Sequence, residues 1–293
     1  MSLRIGFLGA GNMAHGMVRR LLESGHAVSI YNRTRSKALA LRDLGAVVAA
    51  SPREAATDAD AVIAMVGDDE AARSVWLGEA GALGARAKPG AWAIDCSTLS
   101  IDWVNAFSRN ARQHGWRPID CPVTGQPANA ARGELRLLVG ADVSDLEAAR
   151  PLLSLFAKDV VHFGAHGAGT QFKLILNLLG AVQIAGAAEA LAMARATGLD
   201  MDKVLHVLSD GVASAPQVVR VAKNIVADDH EHNIIFSARW RLKDIRYGVE
   251  LAQRLQSAVP LGAVARSLFD KVVAAGLGEC NESVVVRAFD GEA

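Results

Sequence analysis

Two stretches of this chain combine residue types and spacings that can do chemistry. The first is Gly9-Ala10-Gly11-Asn12-Met13-Ala14, a G-x-G-x-x-A turn that follows the apolar run beginning at Ile5. Gly9 permits a tight turn, Gly11 leaves bare backbone for a pyrophosphate to approach, and the small Ala14 lets a helix pack closely on a strand. A phosphate would then sit on helix N-terminal amides. Farther on, 23 positions after Gly9, the chain reads Asn32-Arg33-Thr34-Arg35-Ser36-Lys37. A carboxylate there would bind ribose hydroxyls and repel a 2′-phosphate, whereas this segment is cationic. Arg33 can stack or fork onto a phosphate, Thr34 can donate a hydroxyl, and Lys37 adds charge, so NADP(H) is expected in preference to NAD(H).

The second stretch is split. Asp120-Cys121-Pro122-Val123-Thr124-Gly125-Gln126 follows an apolar run, and Gly167-Ala168-Gly169-Thr170-Gln171-Phe172-Lys173 opens a long helical pattern that includes Asn177. Lys173 and Asn177 are four apart and project from one helix face in apolar surroundings. Burying an ammonium is costly, so Lys173 either snorkels, pairs with a carboxylate, or serves chemistry.

These residues need elements to position them. Short apolar runs start at Ile5, Ala27, Ala61, Ala91, Arg117, Leu135 and Asp159, alternating with helical segments. Runs without strict alternation suit strands buried on both faces, hence a parallel sheet covered by helices. Ser51-Pro52-Arg53-Glu54 reads as a capped helix start. After Gly164 the pattern becomes helical throughout: Thr170 to Ala196, Asp200 to Leu208, Pro216 to Val226, Trp240 to Gln256 and Leu261 to Ala275. The expected organisation is an α/β Rossmann-like domain over residues 1–164 and an all-helical domain over 165–293. The long first helix can connect them.

Composition narrows the function. The chain has 293 residues, 31 basic and 31 acidic, for a net charge of zero. No global field favours nucleic acid or an anionic membrane. With 51% hydrophobic and 21% charged residues, the chain should fold throughout. Cys96, Cys121 and Cys280 lie far apart in sequence, fitting a reducing, cytoplasmic compartment. No export signal is visible at the start, and the apolar stretch Leu174 to Ala188 is read as a buried soluble helix.

Together the segments GFLGAGNMAHGM from Gly6, DCSTLS from Asp95, DCPVTGQPANAARGEL from Asp120, GAGTQFKLILN from Gly167 and RLKD from Arg241 resemble the β-hydroxyacid dehydrogenase family across nearly the whole chain. That family includes 3-hydroxyisobutyrate dehydrogenases, tartronate semialdehyde reductases and glyoxylate/succinic semialdehyde reductases. The resemblance implies NAD(P)-dependent interconversion of a short hydroxy acid and its aldehyde or keto acid. By it, Lys173 exchanges a proton with the reacting oxygen and Asn177 orients the substrate. Thr124, Gly125 and Gln126 would hold a substrate carboxylate through neutral donors, and Lys243 would approach from the helical domain. Met65, Val66 and Thr98 match cofactor-side positions, with packing or helix capping as their plainer role. Asp244 reads as a structural partner rather than an acid.

Thr124 and Gln126 stand where the family more often has serine and glycine, and Asn129 stands where it has glycine. Gln126 adds bulk to the loop, and Asn129 suits a left-handed backbone. The Asn32-Arg33-Thr34 segment and the Ala215-Pro216 region resemble the glyoxylate/succinic semialdehyde reductase branch more than the others. Three alternatives stand beside this reading. An imine reductase would usually lack a lysine at position 173, a 6-phosphogluconate dehydrogenase would need a larger helical domain, and a nonenzymatic NADP-binding module would not need Lys173 and Asn177. The expected partners are a small carboxylate-bearing substrate and a second copy of the chain docked through the helical domain, with no nucleic acid and no membrane. No metal site is expected: Asp228 to His232 reads as a solvated connector and Cys121 as a packing residue.

Overall fold

A computed structural model describes residues 2–232 and 234–290 of the chain. The chain forms two compact units, Met1–Lys173 and Leu174–Ala293.

The first unit opens with β1 (Arg4–Leu8), α1 (Asn12–Glu23), β2 (Ala27–Tyr31), α2 (Arg35–Leu39), β3 (Val47–Val48) and α3 (Pro52–Ala56). It continues through β4 (Ala61–Ala64), α4 (Asp69–Leu77), β5 (Trp92–Asp95), α5 (Ile101–Gln113) and β6 (Arg117–Asp120). Then come β7 (Val123–Thr124), α6 (Pro127–Arg132), β8 (Leu135–Gly140), α7 (Val143–Leu153) and β9 (Ala157–Gly164). The strand order is β3-β2-β1-β4-β5-β6-β8-β7, with β9 also pairing β8.

From β3 to β6 every pairing is parallel. Strand order reverses between β1 and β4, the kind of switch point at whose carboxyl edge open α/β sheets bind ligands. The sheet is not parallel throughout: β8 runs antiparallel to β6 and β7. Residues 121–134 hold only a two-residue strand and a short helix, so the chain turns back instead of making a full crossover.

Both faces of the sheet are covered. Phe7, Ile30, Ile63, Ile94 and Ile119 pack with Met17 and Leu21 of α1 and with Leu146 of α7. Leu8, Val62 and Ala93 face a second core of Trp76, Trp103, Phe107 and Trp116. The start of α3 follows the sequence reading: Glu54 N–H donates to Ser51 Oγ at 3.1 Å, and Ala50 N–H donates to Glu54 Oε2 at 2.7 Å.

Helix α8 (Ala168–Ala196) runs through the division between the units. The second unit continues with α9 (Met201–Asp210), α10 (Pro216–Val226), α11 (Ala238–Arg254) and α12 (Pro260–Val272), closed by a 3-10 segment, Glu282–Phe289. Its core joins Ala181, Ile184, Ala188 and Leu191 of α8 to Val221, Ile225, Leu242, Ile245, Phe269 and Val285. Helix α8 is long and apolar enough, by length and composition alone, to cross a membrane. It is a core helix on one face only, because Ile175 and Leu179 are more than half exposed. The connector at Asp228 to His232 is also less solvated than its composition suggests. His230 is buried with Nδ1 2.7 Å from Ser283 Oγ, and Asp228 pairs with Arg287 at 2.7 Å.

Candidate active site

The glycine-rich turn leaves β1 at the switch point. Gly9 has a φ of +108°, and a Cβ there would lie 2.2 Å from the Met65 carbonyl oxygen, so conformation and space both require glycine. A Cβ at Gly11 would meet nothing within 4 Å. Internal packing therefore does not demand that glycine, and the bare backbone faces open space where a pyrophosphate can approach. Gly11 and Asn12 are exposed at the start of α1, Met13 is half-buried and Ala14 is buried. No side chain caps this helix at Gly11, which leaves its first amides to a ligand.

Asn32 acts on this turn from the end of β2. Ala10 N–H donates to Asn32 Oδ1 at 2.9 Å, and Asn32 Nδ2 donates to the Thr34 carbonyl at 2.8 Å. Its carboxamide thus ties the glycine turn to the cationic segment. Arg33, Thr34 and Lys37 are exposed around the start of α2, as a group that meets an incoming anion must be.

The neighbouring strand ends are held by buried polar bonds that the sequence did not signal. Trp76 Nε1 donates to Asp95 at 2.8 Å, Ser97 N–H donates to Asp95 at 3.0 Å, and Val66 N–H donates to Ser97 Oγ at 2.9 Å. Burial pushes the Asp95 carboxyl up from its ordinary range, against these donors. The chain of bonds holds Val66, which with Met65 lies against Gly9; Thr98, half-buried, follows Ser97. Thr98 does not cap α5; the cap is Ser100, whose Oγ accepts from Trp103 N–H at 3.2 Å.

The loop after β6 differs from expectation in two respects. Gly125 carries the positive φ, +134°, and a Cβ there would crowd Leu135 Cδ2 at 2.9 Å. Asn129 instead lies within α6, and no left-handed backbone is needed there. Its Oδ1 accepts from Gln126 N–H at 2.8 Å, so that amide is engaged inside the turn rather than offered to a carboxylate. Thr124 is half-buried, while Gly125 and the Gln126 side chain are exposed.

Buried Asp120, at the end of β6, reaches the start of α8. Its carboxylate accepts from Thr170 N–H at 2.9 Å and from Thr170 Oγ1 at 2.6 Å. Burial, with Asp95 beside it on β5, pushes this carboxyl up to about 7 in spite of those donors. Cys121 follows and is buried; the hydrogen bond that the Cys96 thiol shares with Cys121, together with burial, pushes the Cys96 thiol well above its ordinary value. Lys173, half-buried, lies one turn beyond Thr170, and Asn177 one turn beyond Lys173.

In the helical unit, Asn177 and Lys243 converge on one carboxylate. Asn177 Nδ2 donates to Asp244 Oδ2 at 2.6 Å, and Lys243 Nζ lies 3.1 Å from Asp244 Oδ1. Asp244 is 1% exposed. Lys243 Nζ also sits 5.6 Å from the Trp240 ring and 5.3 Å from the Tyr247 ring, so charge and two π faces confine it. Behind them Arg241 donates to the Asn177 carbonyl at 3.3 Å and to fully buried Glu282 at 2.6 Å, and Arg220 grips the same carboxylate. Glu282 carried no signal in the sequence, because its partners are 41 and 62 positions away.

A glycine-rich turn at the switch point of an open, mostly parallel α/β sheet marks a dinucleotide-binding fold, and the matching families make the chain a nicotinamide-dependent oxidoreductase. Residues 4–164 match the family described as the NAD binding domain of 6-phosphogluconate dehydrogenase, and residues 167–289 match the NAD-binding domain of NADP-dependent 3-hydroxyisobutyrate dehydrogenase. The chain is 33% identical to an NAD-dependent L-serine dehydrogenase of Pseudomonas aeruginosa over 98% of each chain. It is 29% identical to the chloroplastic glyoxylate/succinic semialdehyde reductase 2 of Arabidopsis thaliana, over 98% of this chain and 79% of that one. A solved 3-hydroxyisobutyrate dehydrogenase from Salmonella typhimurium is similar with a TM-score of 0.89 at 26% identity, over 98% of this chain and 99% of that one. The chain belongs to the NAD(P)-dependent β-hydroxyacid dehydrogenase family.

Proposed function

We propose that this enzyme is an NADP(H)-preferring reductase of short aldehyde or keto acids, interconverting them with the corresponding hydroxy acids. The observation that carries the reading is the succession of Lys173 and Asn177 on adjacent turns of α8, with the Asn177 amide held by Asp244 at 2.6 Å. A bound nicotinamide dinucleotide supplies or accepts the hydride. The chain's own residues handle the proton and the carboxylate. Lys173 Nζ delivers a proton to the reacting oxygen in reduction and removes it in oxidation. With its Nδ2 committed to Asp244, Asn177 presents Oδ1 as an acceptor for a hydroxyl. The Thr124 hydroxyl and Gly125 amide hold the substrate carboxylate, and the exposed Gln126 side chain selects among substrate tails. Lys243 adds positive charge on the substrate side.

The preference for NADP(H) rests on Arg33, Thr34 and Lys37, exposed where a 2′-phosphate would arrive, and on the absence of a carboxylate from Asn32 to Lys37. Gly9, Gly11, Asn12, Met13, Ala14, Asn32, Met65, Val66 and Thr98 line the cofactor side. Exposed Ile175, Leu179 and Met193 on α8, and the lack of any fully buried side chain on α9, support a homo-oligomer formed through the helical unit. The free thiols of Cys96, Cys121 and Cys280 support a cytoplasmic setting.

The test follows nicotinamide absorbance with NADPH and NADH in parallel. Glyoxylate, succinic semialdehyde, tartronate semialdehyde and a cyclic imine are offered for reduction; L-serine and 3-hydroxyisobutyrate are offered for oxidation. Turnover of an acid aldehyde with NADPH is expected. Imine-only turnover, or binding of NADPH without turnover of any substrate, overturns the reading.

A further inference from the structure

Asp120 and Thr170 are 50 positions apart in sequence and joined by two hydrogen bonds. Asp120 ends β6, and the loop it leads into is the Thr124–Gln126 turn; Thr170 stands in the first turn of α8, three residues before Lys173. The Gly167 backbone dipole also favours the charged form of this carboxyl. Around this anchor the helix start is pressed onto β8. A Cβ on Gly169 would lie 2.1 Å from the Leu138 carbonyl oxygen, and one on Gly140 would lie 2.9 Å from both Ala168 N and Asp120 Oδ2. The contact is therefore backbone against backbone, with little freedom for the helix to slide. A buried carboxylate would be replaced by an apolar residue if packing were its whole purpose, since its desolvation opposes folding. Its place at the N-terminal end of α8, where negative charge is favoured, recovers part of that cost.

We propose that Asp120 is a positioning residue: by holding the Thr170 amide and hydroxyl it sets the height and rotation of the first turn of α8, and thereby the placement of Lys173 relative to the Thr124–Gln126 loop. The inference rests on the reading of Lys173 as the proton-transfer group. A carboxylate accepts one Thr170 donor on each oxygen, whereas an asparagine side chain has a single accepting oxygen and an alanine has none. Thr170→Ser keeps both donors, and Thr170→Val removes the hydroxyl alone.

Two readouts test this in the full-length protein. Hydrogen–deuterium exchange over residues 165–176, which needs no turnover, is expected to quicken in the order wild type, Asp120→Asn, Asp120→Ala. NADPH-dependent reduction of the best acid aldehyde is expected to lose about tenfold to a hundredfold in kcat in Asp120→Ala, the scale of a misplaced catalytic group. The KM for NADPH should stay within about threefold, because the nucleotide turn is built elsewhere. Thr170→Val should share the kcat defect and Thr170→Ser should rescue it, which keeps the test decisive even if Asp120→Ala folds poorly. Unchanged exchange in Asp120→Asn and Thr170→Val, or quickened exchange with wild-type kcat, overturns the proposal. A wild-type enzyme that turns over no acid aldehyde fails the lysine reading instead, and the anchor is then judged by exchange alone.

Discussion

Asn177 donates from Nδ2 to the buried carboxylate of Asp244 at 2.6 Å, and the other oxygen of that carboxylate lies 3.1 Å from Lys243 Nζ. One acid side chain thus fixes the orientation of a carboxamide on α8 and the position of an ammonium on α11.

Replacing Asp244 with alanine should release both. Asn177 is then free to flip its amide, and Lys243 loses its counter-charge while still confined by Trp240 and Tyr247. The expected result is a fall of about tenfold to a hundredfold in kcat/KM for the acid substrate. A loss of about 1–3 kcal/mol in stability should accompany it, from polar groups left unmet. Steady-state kinetics and denaturant unfolding check the two effects separately. Asp244→Asn should lie between wild type and Asp244→Ala in both.

Arg33 is expected to decide the choice of nucleotide. Arg33→Ala should lower kcat/KM for NADPH by about tenfold or more, since a forked contact to phosphate is lost. The value for NADH should change by less than about threefold. Equal losses with both nucleotides would show that Arg33 acts on a part they share.

The elevated titration of Asp120 makes a pH prediction with a definite sign. Its carboxyl titrates near 7 in the native chain against an ordinary 3.8, so the folded state holds its proton more tightly. A carboxyl shifted in that direction contributes stability fully below its unfolded value and loses it as pH rises through the folded one. Asp95, the like charge facing it on β5, is shifted the same way. Relative to Asp120→Asn, wild-type Tm should therefore fall as pH rises from about 5 to about 8. A Tm difference that stays flat over this range would contradict the shift.

Much of the fold can be read from local pattern, because it is locally determined. The apolar runs at Ile5, Ala27, Ala61, Ala91, Arg117, Leu135 and Asp159 each contain a strand, the run from Arg117 splitting into β6 and the start of β7, and Pro216 to Val226 is a helix with the expected bounds. Gly9 could be read too, since its φ and its closeness to Met65 both exclude a side chain. The reversal at β8 was hidden because β7 is two residues long. Asn129 misled for a different reason: a residue that tolerates left-handed backbone can equally cap a helix from within it, and Gly125 had already taken the strained position. The polar couplings Asp120–Thr170, Asn177–Asp244 and Arg241–Glu282 join residues at least 41 positions apart. Periodicity and spacing carry no trace of such pairs, although Asp120, Asn177 and Asp244 each lie within one of the motif segments quoted from the sequence.

In the proposed reaction Lys173 transfers the proton that accompanies hydride transfer. The most direct test is NADPH oxidation by wild type and Lys173→Ala with the preferred acid aldehyde, alongside NADPH affinity from fluorescence titration. Turnover should fall by about a hundredfold to ten-thousandfold, the range of a lost general acid, with NADPH affinity within about threefold of wild type. Near-normal turnover in Lys173→Ala, with NADPH still bound, would contradict the claim and remove Lys173 from the chemistry.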